Sequence, residues 1–538
     1  MVNRQVLALH HFKGPVNSQL DDWLAQGLTE KLWKGDPRIW SPKRVPELVD
    51  RLGWLHLHET MRPRVDEFRS VADGFRKAGV EQVVLLGMGG SSLAPELFAS
   101  VFNQGRDGIG LTVLDSTHPE SVRAVMEDMV TRPTAFIVSS KSGTTQESNA
   151  FFHRFWAQIG PSARHRFVAI TDPGTPLAKL AVERRFAALV EAPPDVGGRF
   201  SALSPFGLVP AAILGLDLDR MLDEAAAMAV ACSNPDSGNP ALTLGATMGA
   251  LANAGVDKLT IHTSHTLRAL PAWLEQLIAE SLGKDGKGVV PVAEEPWGPP
   301  DLYGSDRWFA QLSMAGDHLD LGEARQLHSR HPTALIDLTE PYGLVQELLR
   351  WELAVSLAGA VIGVHPFNQP DVEIAKVLAR QAMEAAQAER IDEFRVSEPY
   401  AMRRALRVWL NSIQPGSYAG IQAYLHRDEH TDRYFGALRR LIMDHRKVAT
   451  TVGFGPRFLH STGQLHKGGP NASFMQIVDE TVEDIPIPDS DGTFGRLIAA
   501  QAAGDYRALQ KMNRNLVRIN VGREPLDGLG QLVEALQG

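Results

Sequence analysis

The chain has 538 residues, 44% hydrophobic and 22% charged, and its 63 acidic against 54 basic side chains leave a formal charge of −9. That is ordinary globular composition, too acidic for a general polyanion binder, and no run of five or more Lys/Arg makes a local nucleic-acid patch. At roughly 100–200 residues per domain, the length predicts about three or four domains with a core that needs no disulfide or metal staple.

Cys232 is the single cysteine, so the chain offers no internal disulfide and no Cys-based cluster, which fits a reducing compartment. The N-terminal apolar run, residues 6–9, is too short for a signal-peptide core. Long uncharged stretches such as 201–216 and 241–256 carry Gly, Pro, Ser or Asn and fall short of the roughly 18 apolar residues of a spanning helix. A cytoplasmic protein with no membrane and no nucleic-acid partner is expected.

Residues 1–50 read as an N-terminal arm. Short Val/Ile/Leu-rich runs then alternate with amphipathic stretches: VVLLG (83–87), TVL (112–114), FIVSS (136–140), FVAIT (167–171) and LTIHT (259–263). Continuous apolar runs are strands buried on both faces, and alternation with helices predicts α/β architecture with mostly parallel sheets. A break near 216–221, followed by an Ala-rich helix and an Asn/Asp/Gly/Pro cluster at 233–240, separates a first α/β domain (51–220) from a second (221–388). From about residue 389 scattered Tyr and His, charged helices and a late Gly-rich segment mark a C-terminal α/β module (389–538), with a final helix near 528–536.

Two strand-to-helix junctions carry the chemistry. In VVLLGMGGSSLAPELF, Gly87, Gly89 and Gly90 end a strand and Ser91 and Ser92 follow, so backbone can approach a ligand closely. Asp115 after the next strand would suit a dinucleotide ribose, but the sixth position of G-x-G-x-x-G is Ser92. In FIVSSKSGTTQESNAFFHRFW, Ser140, Lys141, Ser142, Gly143, Thr144 and Thr145 lead into a helix whose apolar side is Phe151, Phe152, Phe155, Trp156 and Ile159. Hydroxyls and first-turn N–H groups at a helix start make an anion site suited to a phosphate monoester; Thr144 to Glu147 also fits a simple capping box. If the two strands are neighbours, the loops share one sheet edge, and together they favour a phosphorylated small molecule over a dinucleotide.

In PAWLEQLIAESLGK, Leu274, Leu277, Ile278 and Leu282 form one helical face, and Gln276 and Glu280 lie four apart on another. Glu280 is thereby a candidate base, or one half of an exposed Glu280–Lys284 pair. His426 to His430 spells H-x-x-E-H, but the flanking residues argue against a continuous helix, and no zinc site is expected there.

GGRFSALS around Arg199, EQLIAESLGK around Glu280 and FNQPDVEIAK (367–376) follow the two Ser-rich loops in order, and the set resembles the glucose-6-phosphate isomerase family. LTEKLWKGDPRIW (28–40) and FGPRFLHSTGQLHKGGP (454–470) resemble the isomerase half of fused transaldolase/glucose-6-phosphate isomerases. Only 86 residues precede Gly87, against roughly 250 for a barrel, so no transaldolase domain is expected. The resemblance implies two sugar-isomerase three-layer α/β/α domains and reversible isomerisation of glucose 6-phosphate and fructose 6-phosphate through a cis-enediol(ate). By the same resemblance, Glu280 moves the proton between C2 and C1, Arg199 stabilises the enediolate oxygen, and Lys376 assists ring opening and hydroxyl contacts. Ser140, Lys141, Ser142, Gly143, Thr144 and Thr145 hold the phosphate, with Gly89, Gly90, Ser91 and Ser92 nearby and Gln276 and Gln369 facing the sugar. No cofactor and no metal are implied, and a homodimer is.

One departure stands out. Arg307, in YGSDRWFAQL, occupies the place where family members carry a ring-opening histidine, and an arginine cannot serve as a general acid–base group near neutral pH. His460 and His466 are candidates for that role. The alternatives are a sugar-phosphate-binding regulatory protein without catalysis and an isomerase of another hexose 6-phosphate, such as mannose 6-phosphate.

Overall fold

The computed structural model describes residues 2–102, 109–317, 326–371, 391–480 and 483–537. Lys376 lies outside the described residues. Among the described residues, fifteen strands, numbered in chain order, form three five-stranded sheets. The earliest strand, β1 (Arg4–Ala8), belongs to the second sheet.

The first sheet is built from β2 (Gln82–Gly87), β3 (Gly110–Leu114), β4 (Thr134–Ser139), β5 (Phe167–Thr171) and β6 (Ala188–Glu191), in the order β3-β2-β4-β5-β6 with every pair parallel. Helices cover both faces, so β2, β4 and β5 are buried at every position; this is why their sequences read as unbroken apolar runs. The chain leaves β2 to one side for β3 and returns to the other side for β4. The crevice between the ends of β2 and β4 is therefore the topological switch point, where α/β sheets bind ligands.

The second sheet has the order β1-β10-β9-β7-β8, from β7 (Lys258–Thr263), β8 (Val290–Ala293), β9 (Arg307–Met314) and β10 (Thr333–Leu338). Its pairs are parallel except that β1, from the N-terminal segment, adds antiparallel to β10. One apolar core runs through the first two sheets.

The third sheet is wholly parallel in the order β11-β15-β14-β12-β13, from β11 (Phe394–Arg395), β12 (Tyr418–Tyr424), β13 (Ala449–Phe454), β14 (Ala472–Val478) and β15 (Asn515–Asn520). It carries its own apolar cluster, including Leu406, Trp409, Ile421, Ile477 and Leu529. Its switch point falls between β12 and β14. Among the described residues no helix is long and apolar enough to cross a membrane.

The helix Leu270–Leu282 is wedged among all three sheets, and twelve of its thirteen residues, including the polar Glu275, Gln276 and Glu280, are buried. Burial, reinforced by the nearby Glu294 carboxylate, pushes the Glu275 carboxyl up from 4.5 to about 8. Between those values the folded protein holds a proton that the unfolded chain has released, so this contribution to stability is full below about pH 4.5 and is lost as pH rises toward 8. Glu275→Gln is expected to remove a pH-dependent loss of up to about 5 kcal/mol over that window, flattening the denaturant-midpoint profile between pH 5 and 8. An unchanged profile would assign the pH dependence to other groups.

Candidate functional site

Strands β2 and β4 pair in parallel register, Gly87 opposite Ser139, so the two loops that follow them emerge side by side, and Ser139 Oγ donates to Ser91 O at 3.2 Å across the pair. Glycine is required in the first loop by close approach. A Cβ on Gly89, whose φ is +55°, would lie 2.6 Å from His460 O and 2.8 Å from Gln276 Nε2, and one on Gly90 would lie 2.1 Å from Gly198 O. The loop thus packs directly on the turn that carries Arg199. Ser91 lines the central cavity, whereas Ser92 turns inward, donating to Gly89 O at 3.1 Å and to Asp115 Oδ2 at 3.3 Å. Asp115 is also paired with Arg457 at 3.1 Å, which leaves the dinucleotide alternative without its ribose-binding acid.

The second loop is tied by its own hydroxyls. Ser140 Oγ lies 2.8 Å from Thr145 Oγ1 and accepts the Gly143 N–H at 3.1 Å, and Ser142 Oγ lies 2.9 Å from Thr144 Oγ1. Lys141, Ser142, Thr144 and Thr145 line the cavity; Ser140 and Gly143 are buried behind them as its support. Thr145 is the N-cap of the helix Gln146–Ile159 but makes no side-chain cap bond, so the capping box does not close. Lys141 Nζ meets Asp172 Oδ2 at 2.5 Å, and Arg51 adds a second cation to this end of the cavity.

Also lining the cavity, Glu280 Oε1 lies 3.2 Å from Arg199 Nη1, and both side chains are under 10% exposed. Arg199 uses its whole fork: Nε donates to Ser281 Oγ at 3.0 Å, Nη1 to Gln369 Oε1 at 3.3 Å, and Nη2 to the carbonyls of Pro366 and Asn368 at 2.8 and 2.9 Å. Gln276 Nε2 reaches both Glu280 Oε2 at 3.3 Å and His460 O at 2.8 Å, as the four-residue spacing requires. The exposed Glu280–Lys284 pair does not form. Lys284 is buried and its Nζ donates to the carbonyls of Ser281 and His365, because the helix that carries Glu280 is a core element rather than a surface one.

The third sheet completes the wall. His460, Lys467 and Gln501 reach the cavity, which has a volume of about 820 Å³. His460 Nε2 lies 3.0 Å from Glu147 Oε1, and Gln501 Nε2 donates to the same oxygen at 2.7 Å. Lys467 Nζ donates to Asp505 Oδ1 at 2.6 Å. His466 is not at the cavity: it is buried against Phe458 and Phe474, with Nδ1 3.2 Å from Gln422 Nε2, and burial holds it well below the usual imidazole range. Arg307 is likewise remote, buried in β9 with Nη1 2.8 Å from Glu295 Oε2. Sequence reasoning missed Arg51, Asp172 and Gln501, none of which carries a local motif, and read Glu147 only as a capping residue.

Residues 53–294 match the family model described as phosphoglucose isomerase. Glucose-6-phosphate isomerase of Rubrobacter xylanophilus is 29% identical over 385 residues, 61% of this chain and 88% of the relative, and that of Thermus thermophilus 28% over 421 residues, 68% and 99%. The chain is thus similar to phosphoglucose isomerases over residues 53–294. Among solved structures, a hypothetical protein of Thermus thermophilus superposes with a TM-score of 0.61 at 25% identity, covering 71% of this chain and all of that one. A Chlamydia trachomatis glucose-6-phosphate isomerase, at TM-score 0.55 and 19% identity over 69% and 85%, shares the fold. These relatives leave roughly a third of the present chain unaligned.

Proposed function

We propose that the chain interconverts glucose 6-phosphate and fructose 6-phosphate at this cavity, with Glu280 as the proton-transfer base. The observation that carries the assignment is a shielded carboxylate paired to a guanidinium at 3.2 Å, lining the same cavity as a hydroxyl-rich loop. The phosphate sits on Ser142, Thr144 and Thr145 at the helix start, with Lys141 and Arg51 supplying positive charge. Anchoring that end orients the open-chain sugar, so that one carboxylate can take the proton from one carbon and return it to its neighbour. Arg199, permanently cationic and held in place by four other acceptors, stabilises the developing enediolate oxygen through its fixed positive charge. Gln276 and Gln369 hold hydroxyls.

Ring opening needs a group that can give and take a proton near neutral pH, and an imidazole is the side chain suited to it. His460 lines the cavity and is oriented by the buried Glu147, which supports it over His466 for this step. His460→Gln is expected to lower turnover of the cyclic sugar phosphate by ~10²-fold while leaving solvent proton exchange into an open-chain analogue within a few-fold. Equal losses in both assays would move His460 out of ring opening.

Coupled assays with glucose, fructose and mannose 6-phosphates test the substrate. Rapid interconversion of the first two is expected, and turnover of mannose 6-phosphate alone would replace the assignment. A cytoplasmic homodimer, implied by the family resemblance, belongs to this reading and is read by light scattering of the full chain.

A further inference from the structure

The third sheet has a switch point of its own, and it is not at the isomerase cavity. His426 follows β12 and Asp479 follows β14, the two adjacent strands between which the chain reverses its direction of winding. Their carboxyl ends face His118 and Glu120, which open the helix Pro119–Thr131 after β3 of the first sheet. Ligand atoms of His118, Glu120 and His426 lie within 4.8 Å of one another. Asp479 Oδ2 stands 3.0 Å from His118 Nε2, and Ser121 Oγ stands 2.9 Å from His426 Nδ1.

We infer that His118, Glu120 and His426 form a binding site for a divalent transition-metal ion of the zinc class, bridging the first and third sheets. The donor set, two imidazoles and one carboxylate, is one that such ions take with a water in the remaining position. Tetrahedral zinc separates neighbouring ligand atoms by roughly 3.3 Å, so small side-chain rotations close the set. His118 is buried with its Nε2 held by the Asp479 carboxylate, the arrangement that fixes the tautomer of a ligating imidazole, and its Nδ1, which accepts the Glu120 N–H over a long 3.3 Å, would exchange that contact for the ion. Glu120 is exposed and His426 half-buried, which leaves the ion an entry path. The H-x-x-E-H run does not bind as a local motif. Its helix, Glu429–Arg446, starts after His426, and His430 turns away to meet Arg433 at 2.7 Å, so His426 is free to pair across the seam.

An ion here would clip the seam that also carries the Thr117–Gln501 hydrogen bond at 2.8 Å, and Gln501 contacts Glu147 at the isomerase cavity. The site is therefore structural, placed to hold the third sheet against the first.

Chelator-treated full-length protein titrated with Co2+ tests this. One equivalent should bind with the visible absorption of a four- or five-coordinate ion and be displaced by Zn2+, and Zn2+ should raise Tm by several degrees. His426→Gln and Glu120→Gln should each weaken binding by at least ~100-fold and abolish the Tm rise, while both retain metal-free isomerase turnover. Binding in both variants equal to wild type, or no bound equivalent in the folded wild-type protein, would overturn the assignment. Glu120 is exposed, so its variant gives a readout even where His426→Gln compromises folding.

Discussion

Glu280→Gln should lower turnover by ~10²-fold or more with little change in KM for the hexose phosphate. The substitution keeps the side chain's size and one oxygen, and Arg199 keeps its bonds to Ser281, Gln369 and the carbonyls of Pro366 and Asn368. What it removes is the group that accepts the carbon-bound proton. The phosphate end of the cavity is built by a different sheet, so thermal stabilisation of the variant by fructose 6-phosphate should persist. Near-normal turnover would remove Glu280 from the mechanism; loss of ligand-induced stabilisation would mean that Glu280 contributes to binding instead.

Arg199→Lys should cost nearly as much in rate and more in stability. A lysine keeps the charge but has three donors at one point, whereas Arg199 spreads its donors over Glu280, Ser281, Gln369 and two main-chain carbonyls on two separate segments. Turnover should fall by about 10²-fold as the oxyanion loses a cation fixed in place, and Tm should drop by several degrees. Arg199→Met should be worse folded still, because it leaves the Glu280 carboxylate buried without its cation, at roughly 3–5 kcal/mol. A lysine variant with wild-type rate and Tm would reduce Arg199 to an ordinary ion pair.

The parts of this site that local sequence can encode were readable from it. Strand-end loops announce themselves through Gly and hydroxyl clusters between an apolar run and a helix, and the strands β2 and β4 that carry them are indeed neighbours. The i,i+4 spacing alone put Gln276 and Glu280 on one face, and they are in contact. Residues whose partners are distant in the chain were not readable. Glu147 has the spacing of a capping residue, yet its carboxylate serves His460 and Gln501, 313 and 354 positions away. Lys284 has the spacing of a surface partner for Glu280, yet its helix lies inside the molecule. The third sheet was harder to see because its strands carry buried polar residues, such as Gln422, Thr450, Gln476 and Arg518, that break the apolar runs by which the first sheet is recognised.

Solvent isotope exchange addresses the proton-transfer role of Glu280 most directly. With glucose 6-phosphate in D2O, wild-type protein should introduce deuterium at the transferred carbon during turnover, and Glu280→Gln should slow that incorporation by ~10²-fold or more. Incorporation by a folded Glu280→Gln protein at the wild-type rate would contradict the account.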